Sequence, residues 1–400
     1  MLNVNQAIVL GAISTGGGLA QIEEQLGFCD LPVMSSHLYQ KIQNELAHSI
    51  HELAWEIIEQ AGVQERRIAI EKGHIGKDSI PYITVIADGA WSKHSYKVNY
   101  DAASGVGVII GQETKKVLFL GIRNKYCCLC ARAENKEEQP IAHMCFKNWS
   151  GPSTGMESNI IFEGFKQSIE MHGVKYLCLV GDGDSSVTKK LADARPYDTP
   201  VSKIECRNHL LRNYCTRLRA LTQKKTSSKN LPVSVKQRNI LMNSIKRLRS
   251  GIIGAINYIT TEKSEECHAE KFRLLKKDIY NGPYHVFGNH EKCETYFCSK
   301  MTNIDQDEQK KGYHWVAEMK ASGRFQDILY VAERVTRNAE SLILNMDNNA
   351  AECYNSVVAK LVGGKRINYT ARRSYATRCE VAAISYNVPA GEFPRLSIKK

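Results

Sequence analysis

From Cys206 to Thr261 the chain contains not one Asp or Glu. The same stretch carries twelve Lys or Arg: Arg207, Arg212, Arg217, Arg219, Lys224, Lys225, Lys229, Lys236, Arg238, Lys246, Arg247 and Arg249. The formal net charge of the whole chain is +12, so the rest is balanced. A surface of one sign suits a polyanion, and nucleic acid is the commonest one. Other absences narrow the class. No run of eighteen apolar residues exists, which argues against a membrane-spanning helix. The run Ala7–Ile13 is short and has no basic residue before it, so it reads as structure and not as a secretion signal. There is no Gly-x-x-x-x-Gly-Lys-Ser/Thr phosphate loop, and Gly105-x-Gly107 opens a strand where a dinucleotide site would close one. The Gly-x-Ser-x-Gly match at Gly151–Gly155 has no apolar strand before it, which argues against a hydrolase elbow. Without a secretion signal, thirteen cysteines indicate metal binding in a reducing setting more than disulfides.

Four hundred residues imply two or three domains. Residues 1–78 read as helical, with Leu38, Ile42, Leu46, Ile50, Leu53, Ile57 and Ile58 at helical spacing. A helix–turn–helix is one reading of Leu19 to Leu26, a turn at Leu31–Ser36, and a helix from His37 capped by Ser35 or Ser36. At Pro81 the texture changes. Tyr82–Asp88 is a continuous apolar run ending in an acid, as a strand buried on both faces would be. Strands follow at Gly105–Ile110 and Lys116–Ile122, joined by a turn, so three consecutive strands make an antiparallel meander. A Cys-rich insertion at 124–150 interrupts. A helix at Met156–Met171, a strand at Tyr176–Asp182, a helix at Val187–Ala194 and a strand at Val201–Glu205 come next. Then comes a basic helix, which closes the first part of the core at 79–221. A helical insertion spans 222–335, and 336–400 holds a last helix at Asn348–Leu361. This order predicts an α/β protein with an RNase-H-like mixed sheet and flanking helices, carrying a zinc-knuckle insertion and a mostly helical one.

Three acids stand where divalent-metal chemistry needs them: Asp88 after the first strand, Asp182 after the fourth, and Glu352 on the last helix. Hard carboxylate oxygens suit Mg²⁺ or Mn²⁺. Asp184, two residues on, competes with Asp182 as the second acid. Cys127-x-x-Cys130 with His143-x-Cys145 has the spacing of a four-ligand structural zinc site. Two pictures of a second site compete. In one, Cys206, His209, His290 and Cys293 share a zinc; in the other, His285, His290, Cys293 and Cys298 do.

The ordered set Asp88-Gly89-Ala90-Trp91, Gly181-Asp182-Gly183-Asp184-Ser185-Ser186, Cys206-Arg207-Asn208-His209 and Asn348-Asn349-Ala350-Ala351-Glu352 resembles Mutator-like transposases. The resemblance covers roughly 80–390. It implies a catalytic triad of Asp88, Asp182 and Glu352, nicking at DNA element ends, and strand transfer to target DNA by the freed 3′-hydroxyl. It also implies a nuclear protein that works as a homodimer or higher oligomer. The alternative is a truncated or domesticated copy that binds DNA without cutting it.

Overall fold

In a computed structural model of the chain, the run from Tyr82 becomes β1 (Tyr82–Trp91) at the middle of a five-stranded sheet. Residues 2–92, 102–183, 185–296, 298, 315–363, 369–370 and 373–389 are described, and Asp184 lies outside them. They fall into two units, Met1–Lys203 with Asn348–Lys400, and Ile204–Asp347.

The sheet order is β3-β2-β1-β4-β5, with β2 (Ser104–Gly111), β3 (Val117–Asn124), β4 (Lys175–Gly181) and β5 (Ser202–Glu205). The boundary between the units falls within β5. β1 runs antiparallel to β2 and β2 antiparallel to β3, while β1 and β4 are parallel. The mixed character follows from the connections. The hairpin at Gly111–Lys116 reverses the chain, whereas the helix after β3 returns it in the same direction. β2 is buried along its whole length, because helices cover both faces of the sheet.

On one face lies α5 (Gly155–His172). It comes unusually near because glycines lie beneath it. A Cβ on Gly107 would stand 2.7 Å from Ile160 Cγ2, and one on Gly121 closer still. The N-terminal helices α1 (Val4–Thr15), α2 (Leu19–Phe28) and α3 (Ser36–Glu71) belong to the same unit. Ser35 caps α3, its hydroxyl accepting from Leu38 N at 3.2 Å. α3 packs on β1 and β3, with Ala61 and Ala69 in one buried cluster with Ile83, Val85 and Phe119, so it is a core helix. Its buried Glu65 holds the β2–β3 hairpin, accepting from Glu113 N, Thr114 N and Thr114 Oγ1. Two short helices, α4 (Cys128–Asn135) and α6 (Ser185–Ala194), flank α5 in sequence.

Two expectations need correction. β1 does not stop at Asp88: Gly89, Ala90 and Trp91 continue it, paired to Gly107, Val106 and Gly105. The Gly after the acid reads as a strand end, but β2 extends far enough to hold three more residues. The second correction concerns the last helix. After α13 (Asn349–Leu361) comes α14 (Ser374–Asn387), ten of whose fourteen residues are buried.

α14 carries Arg378, 1% exposed. Its guanidinium donates to Leu361 O at 2.6 Å, to Ile13 O at 3.4 Å and to Gly17 O. The ring of Tyr369 lies 3.6 Å from it. Helices end with carbonyls that lack partners and with a negative dipole end. One buried cation therefore ties together the C-termini of α1 and α13.

The second unit is helical: α7 (Arg207–Gln223), α8 (Val235–Thr261), α9 (His268–Val286), α10 (Trp315–Ala321), α11 (Arg324–Thr336) and α12 (Ala339–Ile343). Leu211 and Leu218 of α7 pack with Leu241, Ile245, Leu248 and Ile252 of α8, and with α9 and α11. Because α7 supplies part of this core, the unit is wider than the 222–335 insertion expected from the sequence. Arg207 is engaged within it, donating to Asn345 Oδ1 at 2.6 Å with Asp347 Oδ2 3.6 Å away. Arg212, Arg217, Arg219, Lys224, Lys225, Lys246, Arg247 and Arg249 are exposed.

Arg378→Met keeps the bulk but leaves three buried carbonyls short of a donor. We expect a loss of about 3 kcal/mol in unfolding free energy, read by urea denaturation. A loss below about 1 kcal/mol would show that the guanidinium is not what holds these helix ends.

Candidate metal centres

The parallel register of β1 and β4 aligns two acids. The last paired positions are Ile86 and Val180. Asp88 lies two residues further along β1 and Asp182 directly follows β4, so both come at the same end of this parallel pair. α13 packs against β1 and brings Glu352 in its first turn. Tyr354 Oη donates to Cys379 O and Tyr386 Oη to Ala350 O, which fixes α13 on α14.

Asp88 is the central group. One carboxylate oxygen accepts from Gly89 N at 2.9 Å and the other from Asn355 Nδ2 at 3.0 Å. Burial pushes its pKa up from the ordinary 3.8 to about 6, the Gly89 N–H and Asn355 oppose that, and the charges of Asp182 and Glu352 add to it. Asp88 thus feels both of the other acids. Among the described residues the three do not form a group with ligand oxygens within 4.8 Å of one another, as the Cys/His clusters do. Like charges in a poorly solvated site repel. The donor set fits a hard divalent cation: oxygen ligands only, on three elements, with mutual repulsion that a cation would relieve.

Sequence reasoning missed Asn355. It stands three positions after Glu352, one helical turn on, and so shares its face. Its Nδ2 holds Asp88, and its buried Oδ1 has no hydrogen-bond partner among the described residues. It missed Glu157 as well, whose carboxylate lies over Gly89: a Cβ there would meet Glu157 Oε2 at 2.9 Å. The i, i+3 spacing from Glu352 is a usable signal for Asn355. An acid in the first turn of a helix is too common to single out Glu157.

The first Cys/His cluster is drawn together by α4, at whose N-terminus Cys127 sits. His143 Nε2 lies 3.2 Å from Cys127 Sγ and 3.5 Å from Cys130 Sγ, and the Sγ atoms of Cys130 and Cys145 are 3.6 Å apart. Tetrahedral zinc requires roughly 3.8 Å between sulfurs and roughly 3.5 Å between sulfur and nitrogen. His143 Nδ1 donates to Ile141 O at 2.7 Å, which leaves Nε2 free to ligate. Burial raises the Cys127 thiol, but N–H groups of Cys130 and Leu129 and the His143 contact outweigh it and bring it to about 6.

The second cluster corrects the picture built on Cys206 and His209. His285, His290, Cys293 and Cys298 have ligand atoms within 4.8 Å of one another. His285 Nδ1 is 3.3 Å from Cys293 Sγ, and His290 Nδ1 is 3.4 Å from Cys298 Sγ. Cys206 and His209 belong to neither cluster: Cys206 is the fully buried N-cap residue of α7 and His209 lies in its first turn. Four ligands within fourteen residues close a short loop, which costs less entropy than recruiting a distant pair. Asn281 Nδ2 donates to Lys292 O at 3.1 Å and lies 3.7 Å from Cys293 Sγ, supporting the cluster from outside.

A carboxyl whose folded pKa is raised destabilises the fold when ionised. The penalty is absent below pH 3.8 and complete above about 6. In EDTA, Asp88→Asn is therefore expected to be more stable than wild type at pH 7, by at most about 3 kcal/mol. The gain should vanish as pH falls to 4. Equal stability at both pH values would show that Asp88 is not crowded as described.

No curated protein matches the chain. The family model for Mutator-like transposases matches residues 1–298, which include Asp88, Asp182, both Cys/His clusters and the basic stretch. Glu352 lies beyond the matched part. With some three quarters of its length matched, this chain belongs to the Mutator-like transposase family.

Proposed function

We propose that the protein is a DDE transposase that cleaves and joins DNA strands, with Asp88, Asp182 and Glu352 as its metal-holding acids. The observation that carries this is the raised pKa of Asp88, caused in part by the two other carboxylates. A site that crowds two acids around a third, partly buried carboxyl is built to be neutralised by a cation. The sheet order β3-β2-β1-β4-β5, with β1 and β4 parallel after an antiparallel meander, supports an RNase-H-like reading of the fold.

Mg²⁺ or Mn²⁺ held there would activate the attacking oxygen and neutralise the leaving one. The residues do the rest. Asp88, Asp182 and Glu352 would hold the ions. Asn355 fixes the orientation of Asp88 through its Nδ2. Gly89 N engages the other Asp88 oxygen, so this carboxylate does not rotate freely. The exposed cations of α7 and α8 hold DNA phosphates, a contact that positions without reading sequence. In the two Cys/His clusters zinc would be structural, because protein fills all four positions.

A plasmid-nicking assay with Mg²⁺ or Mn²⁺ tests the reading. Wild type should nick, and Asp88→Asn, Asp182→Asn and Glu352→Gln should each fall to background. Asn355→Ala should lose about 10- to 100-fold, as residues that orient a metal ligand do. Full activity in Glu352→Gln would remove it from the triad, and DNA binding without nicking in wild type would leave a binding protein only.

Elemental analysis of purified protein should give two zinc per chain. Cys130→Ser and Cys293→Ser should each remove one, and a folded sample with none would rule out zinc at both clusters.

A further inference from the structure

In the helical unit a cavity of about 630 Å³ opens between the second half of α7, the loop after it, and α11. That volume falls within the range of small-molecule sites. Three cations line it: Arg217 and Lys224 from α7 and its end, and Arg334 from α11. Among the described residues none of the three meets a carboxylate. The acid in the lining, Asp327, is already neutralised. It accepts from the buried Arg324 at 2.9 Å and from Ser228 N at 3.2 Å. The cavity is therefore positive in net terms, and its ligand is an anion.

One further feature says what kind of anion. Tyr330 lines the cavity and is 52% exposed, a large aromatic surface left uncovered. A free phosphate would use the cations and not this ring. A nucleotide would use both: its base has a flat face to stack, and its phosphates meet the cations. The loop is held rigid for this. Arg324 donates to Lys224 O at 3.0 Å and to Thr226 O at 2.9 Å, so the buried ion pair with Asp327 also anchors the cavity wall.

We propose that this cavity binds an unpaired nucleotide of a DNA strand, with the base stacked on Tyr330 and its phosphates at Arg217, Lys224 and Arg334. A base inside a duplex is stacked on both faces, so only one that has left the stack can enter. The inference rests on the reading that DNA is the substrate, and it adds that an unpaired base is recognised as such.

The test measures binding by fluorescence anisotropy, with the full chain carrying Asp88→Asn in EDTA so that cleavage plays no part. The probes are a paired duplex, the same duplex with one bulged nucleotide, and a single strand, with free dAMP as competitor. Tyr330→Ala should weaken the bulged and single-stranded probes about 10-fold and change the duplex by less than about twofold. Tyr330→Phe should bind as wild type, because the ring remains. Arg334→Gln should weaken the same two probes, and free dAMP should compete poorly against a strand. If Tyr330→Ala binds all probes as wild type does, or weakens all three equally, the cavity is not a base pocket, while the DNA reading stands. If wild type binds none of the probes, the DNA reading fails and this inference fails with it.

Discussion

The first unit depends on a carboxyl group kept where it is least welcome. Asp88 is partly buried, and two other acids raise its pKa further. Nothing in hydrophobic packing demands this, and an Asn or Ser would sit there at lower cost. The surrounding structure is organised to hold the group in place. Gly89 N and Asn355 fix its two oxygens, and β2 pairs with β1 past it to keep the backbone straight. Stability given up at one point, and maintained by neighbours that over-determine it, is the pattern expected of a functional site.

The two other acids reach this point by different routes. Asp182 arrives through strand pairing: Ile86 and Val180 close the parallel pair, and Asp88 and Asp182 both follow at that end, near enough for the charge of Asp182 to act on Asp88. Glu352 arrives through helix packing, and its position is as good as the seating of α13. That seating depends on α14, which accepts a tyrosine bond from α13, returns one to it, and supplies Arg378 beneath its C-terminus. The most distant acid in sequence thus relies on a buried guanidinium that also gathers the end of α1.

What the sequence made legible follows from how local each signal is. Apolar runs ending in Asp88 and Asp182 announce buried strands, because a two-sided environment leaves no polar alternation. The Cys127–Cys145 spacing is equally local. α14 escaped notice because Arg378 and Glu380 interrupt its apolar pattern, and both are buried through partners that no window of sequence contains. Asn355 escaped because a mid-helix Asn has an ordinary solvent-facing reading, and only the fold turns it toward Asp88. For the second cluster, pairing Cys206 and His209 with His290 and Cys293 took a resemblance-bearing motif as a ligand pair. The packing of α7 uses Cys206 as a buried helix start instead.

Ligand hardness sorts the ion-binding chemistry of this chain. Thiolate and imidazole gather in two compact groups, each closed within a short span of sequence, while carboxylates converge from three separate elements. Soft and borderline donors retain zinc and exclude water, and hard donors on separate elements leave room for exchangeable water and a phosphate oxygen. A local cluster can form as soon as its own loop closes, so it can staple a segment that has little core. A site assembled from β1, β4 and α13 exists only when the whole unit has folded. On the proposed reading, reactivity toward DNA would be coupled to the completed sheet, and a partly folded chain could hold zinc before it could cut.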